Sequence, residues 1–312
     1  MSFVSNAICH IHLKGITPFR TAQAIQFAIA SAFLKNKAAT STIQASAVQQ
    51  LAPTPTVLTF QPTPTYTTGR RQLVAPLPPT LLESLKAPLT INDETQFAEV
   101  VPTSRGGLTT YHGPGQTVIY PILDLRSLPG SSSANPSAIS PRCYIHLLEE
   151  TTIDVLAAYD IAAKRTENPG VWYTDDEKIA SLGVHLRRNV SSYGVGINQR
   201  VERGWWDRIE ACGLPGKRIV GAEDIIRGKG GRMTEIEEWR LPSLWMEKFA
   251  QKLANFGAKE GSHPIQPRRD EMKSWDNVHE ISSEVMKLIR AAHLDKEDMN
   301  RDGGWISHWR WT

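Results

Sequence analysis

Two lengths of apolar run share this chain, and the way they mix is the strongest constraint on its fold. Residues 17–35, 143–163 and 241–256 carry apolar positions at helical spacing. Residues 57–60, 97–102, 117–123, 171–173, 179–186 and 190–197 are short strand-like runs bounded by turn residues. Pro18 suits the start of the first helix, and Pro242 and Gly257 bracket the last. The two kinds mix without a strict β-α alternation. The expected fold is therefore α/β: a single domain with a mixed, mainly antiparallel sheet flanked by helices. Between these runs, Pro62-Thr63-Pro64-Thr65-Tyr66 reads as a turn or loop leading to Gly69-Arg70-Arg71. Residues 127–141 read as a Ser/Pro/Gly surface loop.

Composition narrows the class. The 312 residues are 40% hydrophobic and 21% charged, enough for a substantial core. Three cysteines, Cys9, Cys143 and Cys212, with no Cys-x-x-Cys pair, argue against a disulfide scaffold and a zinc site. A net charge of +3 gives no case for nucleic acid, and no apolar run is long enough to span a membrane. The first acidic residue is Glu83; before it stand Lys14, Arg20, Lys35, Lys37, Arg70 and Arg71. An acid-free, basic start resembles mitochondrial targeting sequences. Residues near Ile11 already look like domain, so no long cleavable presequence is expected. From residue 259 onward the composition turns charged, with Trp275, Trp305, Trp309 and Trp311 and a helix-like run at 278–293. Without a basic patch this tail reads as a packing arm or extension, not a base-stacking surface.

The densest signal is Arg105-Gly106-Gly107-Leu108-Thr109-Thr110-Tyr111-His112-Gly113-Pro114-Gly115-Gln116. Its glycines let backbone approach a ligand closely. A glycine-rich loop alone is as often a tight turn. Likewise a lone cysteine is usually a small buried hydrophobe. Lys178, after Asp175, Asp176 and Glu177, reads equally as a surface ion-pair partner. Trp205 and Trp206 read as core aromatics.

The whole string is more specific. It resembles the Arg-Gly-Gly-x-x-Thr-Tyr-His-Gly-Pro-Gly-Gln hallmark of the lipoyl(octanoyl) transferase family. Further segments match in order: 62–70, Pro169-Gly170-Val171-Trp172, Lys178-Ile179-Ala180-Ser181-Leu182-Gly183, Gly194-Val195-Gly196-Ile197-Asn198 and Ala211-Cys212-Gly213. The resemblance implies the biotin/lipoate protein ligase-like fold. It implies a catalytic domain at 9–258, with insertions near 37–52, 75–92 and 127–141, and leaves 259–312 as a C-terminal extension.

The resemblance also implies a reaction. An octanoyl or lipoyl group passes from acyl carrier protein to Cys212 as a thioester, then to a lysine of a lipoyl domain. The accepting domains would be those of 2-oxoacid dehydrogenases and the glycine-cleavage H protein. Lys178 occupies the position of the lysine that favours the thiolate and moves protons. Arg105, Gly106, Gly107, Leu108, Thr109, Thr110, Tyr111, His112, Ser181, Leu182, Gly183, Gly194, Val195 and Gly196 fall at substrate-binding positions. No cofactor or metal is implied, and no phosphate-binding Gly-x-x-x-x-Gly-Lys-Ser/Thr loop is present. The family role suggests a mitochondrial member. Three positions depart from the family pattern: Tyr193 in place of His, Ala211 in place of Pro, and Val220-Gly221 in place of a Thr-Ser pair. An ATP-dependent lipoate ligase and a non-catalytic lipoyl-domain binder are the alternatives.

Overall fold

Strand β1 (Ala7–Thr17) leads across Pro18 into the helix Phe19–Thr40. The computed structural model describes residues 7–40, 53–128, 139–210, 216–231, 240–257, 267–269 and 305–311. β2 (Thr56–Pro62), β3 (Thr65–Thr68), the short helix Arg71–Val74 and the helix Pro79–Lys86 follow. Then come β4 (Leu89–Ile91), β5 (Glu94–Gln96), β6 (Glu99–Pro102), β7 (Thr110–His112) and β8 (Gln116–Ile122). The helix Pro141–Ala157 precedes β9 (Val171–Trp172), β10 (Glu177–Arg187) and β11 (Val190–Asn198). The remaining elements are the helix Arg203–Trp206, β12 (Arg218–Ile219), the helices Ala222–Gly228 and Arg240–Gly257, β13 (Pro267–Arg269) and β14 (Trp305–Trp311).

Among the described residues the main sheet runs β12-β10-β11-β8-β2-β1-β14-β13, with β9 also paired to β10. Only β1–β2 and β10–β12 are parallel; the other pairs are antiparallel. This is the mixed, mainly antiparallel sheet expected. A second sheet, β6-β3-β7, packs beside it, and β4–β5 form a hairpin. The β10–β11 hairpin closes in two residues, Arg188 and Asn189, at φ 50° and 66°. Positive φ at both central positions is what a tight hairpin turn requires.

Period-two alternation divides the core into two faces. Val57 and Ile119 face one side, with the helices Pro141–Ala157 and Arg240–Gly257. Leu58, Phe60, Val118 and Tyr120 face the other, with Ala22, Ile25, Ile29 and Phe33 of the first helix. That helix presents its apolar residues at spacings of three and four, as an amphipathic helix must. It runs past its expected end to Thr40, and in that extra length Lys37 reaches Asp124 across 2.5 Å. The helix Pro141–Ala157 starts with Ser140 accepting from the Cys143 N–H at 3.1 Å. It stops earlier than expected: Asp160 turns to φ 56° and Lys164 bridges to Trp172.

One expectation is corrected. Residues 65–68 are strand β3, not loop: Thr and Tyr suit a pleated surface, and all four are buried between β6 and β7. The 75–92 segment is partly regular, since Pro79–Lys86 is a helix with Leu85 fully buried. The C-terminal segment supplies β14, which pairs with β1 from Ala7↔Arg310 to His12↔Trp305. The expected helix at 278–293 and most of the 37–52 and 127–141 insertions lie outside the described residues.

Candidate active site

A cavity of about 480 Å³ opens against the β10–β11 ladder. Its floor is the run Ser181↔Gly196, Leu182↔Val195, Gly183↔Gly194. Small residues here leave depth for a ligand, and the neighbours demand them as well. A Cβ on Gly194 would lie 2.3 Å from the Ile119 carbonyl oxygen, and one on Gly183 would lie 2.9 Å from Arg105 Cδ.

The motif loop forms one wall. Gly106 donates its N–H to Val184 O at 3.0 Å, and Arg70 donates to Arg105 O at 2.9 Å, pinning the loop between β10 and the end of β3. The Arg105 guanidinium is turned inward on the loop and β3, bonding Thr67, Gly106 and Leu108. Arg105, Gly106, Gly107, Leu108, Thr109 and Thr110 all line the cavity. The hydroxyls of Thr109 and Ser181, and that of Tyr193 beyond, are buried there without a hydrogen-bond partner among the described residues.

His112 also lines it, stacked on Phe19 with ring centroids 5.7 Å apart. Gln116 Nε2 donates to Asn198 Oδ1 at 2.8 Å, leaving Gln116 Oε1 to accept from His112 Nδ1 at 2.6 Å. Burial, and then the Arg105 charge, push the His112 pKa down to about 4 against the Gln116 bond. The ring is therefore neutral at pH 7.

Tyr111 does not join the site. β7 alternates, so Thr110 and His112 face the cavity and Tyr111 faces away. It stacks on Trp205 at 5.8 Å and packs against Tyr66 and Trp206. The two tryptophans are core residues of that small cluster.

Lys178 stands at the other wall and is only 1% exposed. Its Nζ donates to Pro169 O at 2.8 Å and lies 4.6 Å from the centre of the Trp172 ring. The surface ion-pair reading fails because the three preceding carboxylates pair elsewhere. Asp175 meets Lys164, Asp176 meets Lys217 and Glu177 meets Arg218.

Cys212 lies outside the described residues, which stop at Glu210 and resume at Gly216. The chain then returns beside the lysine: Ile219 of β12 is the Cα partner of Lys178. Cys9 is buried in β1, Cys143 is exposed at a helix start, and neither lines the cavity. Among the described residues no group of three or more His, Cys, Asp or Glu could hold a metal ion. No described helix is long and apolar enough to cross a membrane. Sequence reasoning missed Arg71, Tyr120, Ile145, Asn168, Pro169 and Val184 as lining residues, and placed Tyr193 only as a departure.

Residues 34–256 match the family model of the lipoyl protein ligase A/B catalytic domain. The chain belongs to that family. Among its curated relatives, a Schizosaccharomyces pombe protein named "Probable octanoyltransferase" is 38% identical over 184 residues, 58% of this chain and 72% of that one. The Danio rerio mitochondrial octanoyl-acyl-carrier-protein:protein N-octanoyltransferase is 37% identical over 53% of this chain and 65% of its own. The Saccharomyces cerevisiae mitochondrial octanoyltransferase is 33% identical over 54% and 52%. The match thus spans less than two thirds of the latter two relatives. Family membership extends to the fold: lipoate-protein ligase A bound with ATP superposes with a TM-score of 0.54 at 10% identity, covering 92% of this chain and 96% of that one. A T. acidophilum protein with bound lipoic acid gives 0.55 at 12%, covering 90% and 92%.

Proposed function

We propose that the chain is an octanoyltransferase that moves an octanoyl group from acyl carrier protein to a lysine of a lipoyl domain through a thioester on Cys212. The observation that carries this reading is Lys178, a cation buried in the wall of a glycine-floored cavity that the motif loop encloses. The cavity falls in the size range of small-ligand sites, roughly 300–1,000 Å³, which suits a short acyl chain.

In the first step the Cys212 thiolate attacks the thioester carbonyl. An S–C bond forms, the carrier's C–S bond breaks, and the carrier thiolate leaves with a proton. A neighbouring ammonium favours the attacking thiolate and can supply that proton. In the second step the ε-amine of the lipoyl domain attacks the acyl-cysteine. The amide forms, the Cys212 thiolate departs, and the neutral Lys178 amine takes the proton the substrate lysine sheds. Thioester exchange is near-neutral and amide formation is downhill, so the cycle requires no ATP.

Arg105 holds the wall, and Ser181, Leu182, Gly183, Gly194, Val195 and Gly196 would receive the acyl tail. The accepting domains would be those of 2-oxoacid dehydrogenases and of the glycine-cleavage H protein. The catalytic domain would span 9–258, with 259–312 as an extension that adds strands to the sheet edge. The acid-free start and the mitochondrial names of the Danio rerio and Saccharomyces cerevisiae relatives support a mitochondrial site of action.

Intact-mass measurement after incubation with octanoyl-acyl carrier protein tests the reading. The protein gains one octanoyl group, C212S gains none, and K178A gains it slowly. A wild-type protein that stays unmodified, or a C212S that still acylates, overturns the mechanism. AMP release from ATP and lipoate by an unacylated protein indicates a ligase instead.

A further inference from the structure

We infer that Glu149 is a positioning residue for Lys178, acting through the single peptide unit between Pro169 and Gly170. This rests on the proposed role of Lys178 in acyl transfer.

The geometry is a line of three groups. Glu149 lies on the helix Pro141–Ala157 and is 4% exposed. Its Oε1 accepts from the Gly170 N–H at 3.0 Å. The C=O of the same peptide, carried by Pro169, accepts from Lys178 Nζ at 2.8 Å. A trans peptide is planar and its N–H and C=O point in opposite directions. One rigid unit therefore carries a carboxylate on its hydrogen and an ammonium on its oxygen. Each charge orders the dipole for the other, and neither end can rotate without breaking both bonds.

Gly170 is shaped to this arrangement. It sits at φ 127°, and a Cβ there would lie 2.9 Å from Lys178 Cε, 3.0 Å from its Nζ and 2.8 Å from the Ala180 carbonyl oxygen. The turn thus leaves no room for a side chain beside the lysine terminus.

The other buried residues of that helix, Tyr144, Leu147, Leu148, Thr151, Thr152, Val155 and Leu156, are all uncharged. A carboxylate there pays desolvation, and burial pushes its pKa up; the Gly170 bond, His146 and Arg165 oppose this, and Glu150 adds to it. What the position supplies is an acceptor for one buried N–H, aimed so that the other end of the peptide meets Lys178.

The test is single-turnover acylation of the full chain by octanoyl-acyl carrier protein, followed by intact mass across pH 6 to 9. E149A is expected to acylate about tenfold or more slowly with donor half-saturation unchanged, because a misaimed lysine affects the step and not binding. Its rate should also rise with pH later than wild type does. E149Q keeps an amide oxygen that accepts from Gly170 and is expected to stay within about threefold of wild type. K178A runs beside them as the reference.

Wild-type rate and pH profile in E149A with a slowed K178A overturn the inference. So do equal losses in E149A and E149Q. A wild-type rate in K178A instead overturns the reading of Lys178 itself. Near-UV circular dichroism checks folding. If E149A does not fold, G170A decides the matter: it keeps Glu149 and Lys178 chemically intact but forces Nζ to shift, and a wild-type acylation rate in G170A overturns the proposal.

Discussion

Arg105 and Thr67 are joined twice through one nitrogen: Nη2 donates to the Thr67 carbonyl at 2.6 Å and to its hydroxyl at 2.7 Å. Nη1 reaches Gly106 O and Leu108 O at 2.9 Å each. The guanidinium is thus an internal tie between β3 and the motif loop. Arg105→Lys offers one ammonium for a planar fork and strands at least one buried carbonyl. A loss of about 1–3 kcal/mol in urea unfolding is expected. A variant as stable as wild type, with only the donor KM raised, would show that this arginine reaches substrate instead.

A glycine at the end of β3 and one in the motif loop differ sharply in what an added methyl would meet. A Cβ on Gly69 would lie 2.3 Å from the Gly107 carbonyl oxygen, a backbone atom that cannot swing away. A Cβ on Gly106 finds nothing nearer than Val184 O at 3.7 Å. Gly69→Ala is therefore expected to cost about 2 kcal/mol or more through forced backbone movement. Gly106→Ala is expected to stay within about 0.5 kcal/mol. Thermal unfolding of the two side by side is the check. Equal losses would mean that the loop does not lie against β3 as described.

The sheet's centre was readable from sequence because β8, β10 and β11 carry apolar residues between clear turns. β1 was not, because His10 and His12 interrupt its apolar pattern. Both rings are buried, and both bond Thr59 Oγ1, at 2.9 and 3.0 Å. Hydropathy counts a histidine as a surface residue and cannot see a partner 47 residues away. β3 was hidden by Pro62 and Pro64, which punctuate its approach as they would a loop. The site motif was legible as a string but not as geometry: taken whole it included Tyr111, whereas strand alternation turns that ring into the Trp205 cluster. Glu149 had no signal at all, since an acid on an amphipathic helix reads as solvent face. β14 reads as a charged tail because its partner strand lies at the opposite end of the chain.

Tyr193, where the family pattern has histidine, sits at φ 59° with its N–H on Gln26 Oε1 at 2.5 Å. Its ring is held edge-on by Tyr120 at 5.5 Å and Phe27 at 6.2 Å. The hydroxyl is buried beside the cavity without a partner among the described residues. Removing an unpartnered buried hydroxyl while keeping the ring costs nothing. Tyr193→Phe is expected to be as stable as wild type or up to about 1 kcal/mol more stable by urea unfolding. A loss beyond about 1 kcal/mol would place a hydrogen-bond partner on that oxygen. The donor KM, measured in parallel, reports whether substrate uses the hydroxyl.

His112 makes stability fall on the acid side. Its pKa in the fold is about 4. In the unfolded chain it takes up a proton near the ordinary value, about 6.5. A depressed base favours the fold while neutral, so its contribution is complete above pH 6.5 and is lost as pH falls towards 4. At pH 4.5 the lost part is about 2–3 kcal/mol. His112→Asn removes the titration and leaves the rest of the acid response, including that of buried His12, in place. The stability gap between wild type and H112N, from urea unfolding, is therefore expected to shrink by about 2–3 kcal/mol between pH 7 and pH 4.5. A gap that stays constant with pH would mean that the imidazole is protonated as readily in the fold as in the unfolded chain. The neutral ring hydrogen-bonded to Gln116 would then be the wrong description of this wall of the cavity.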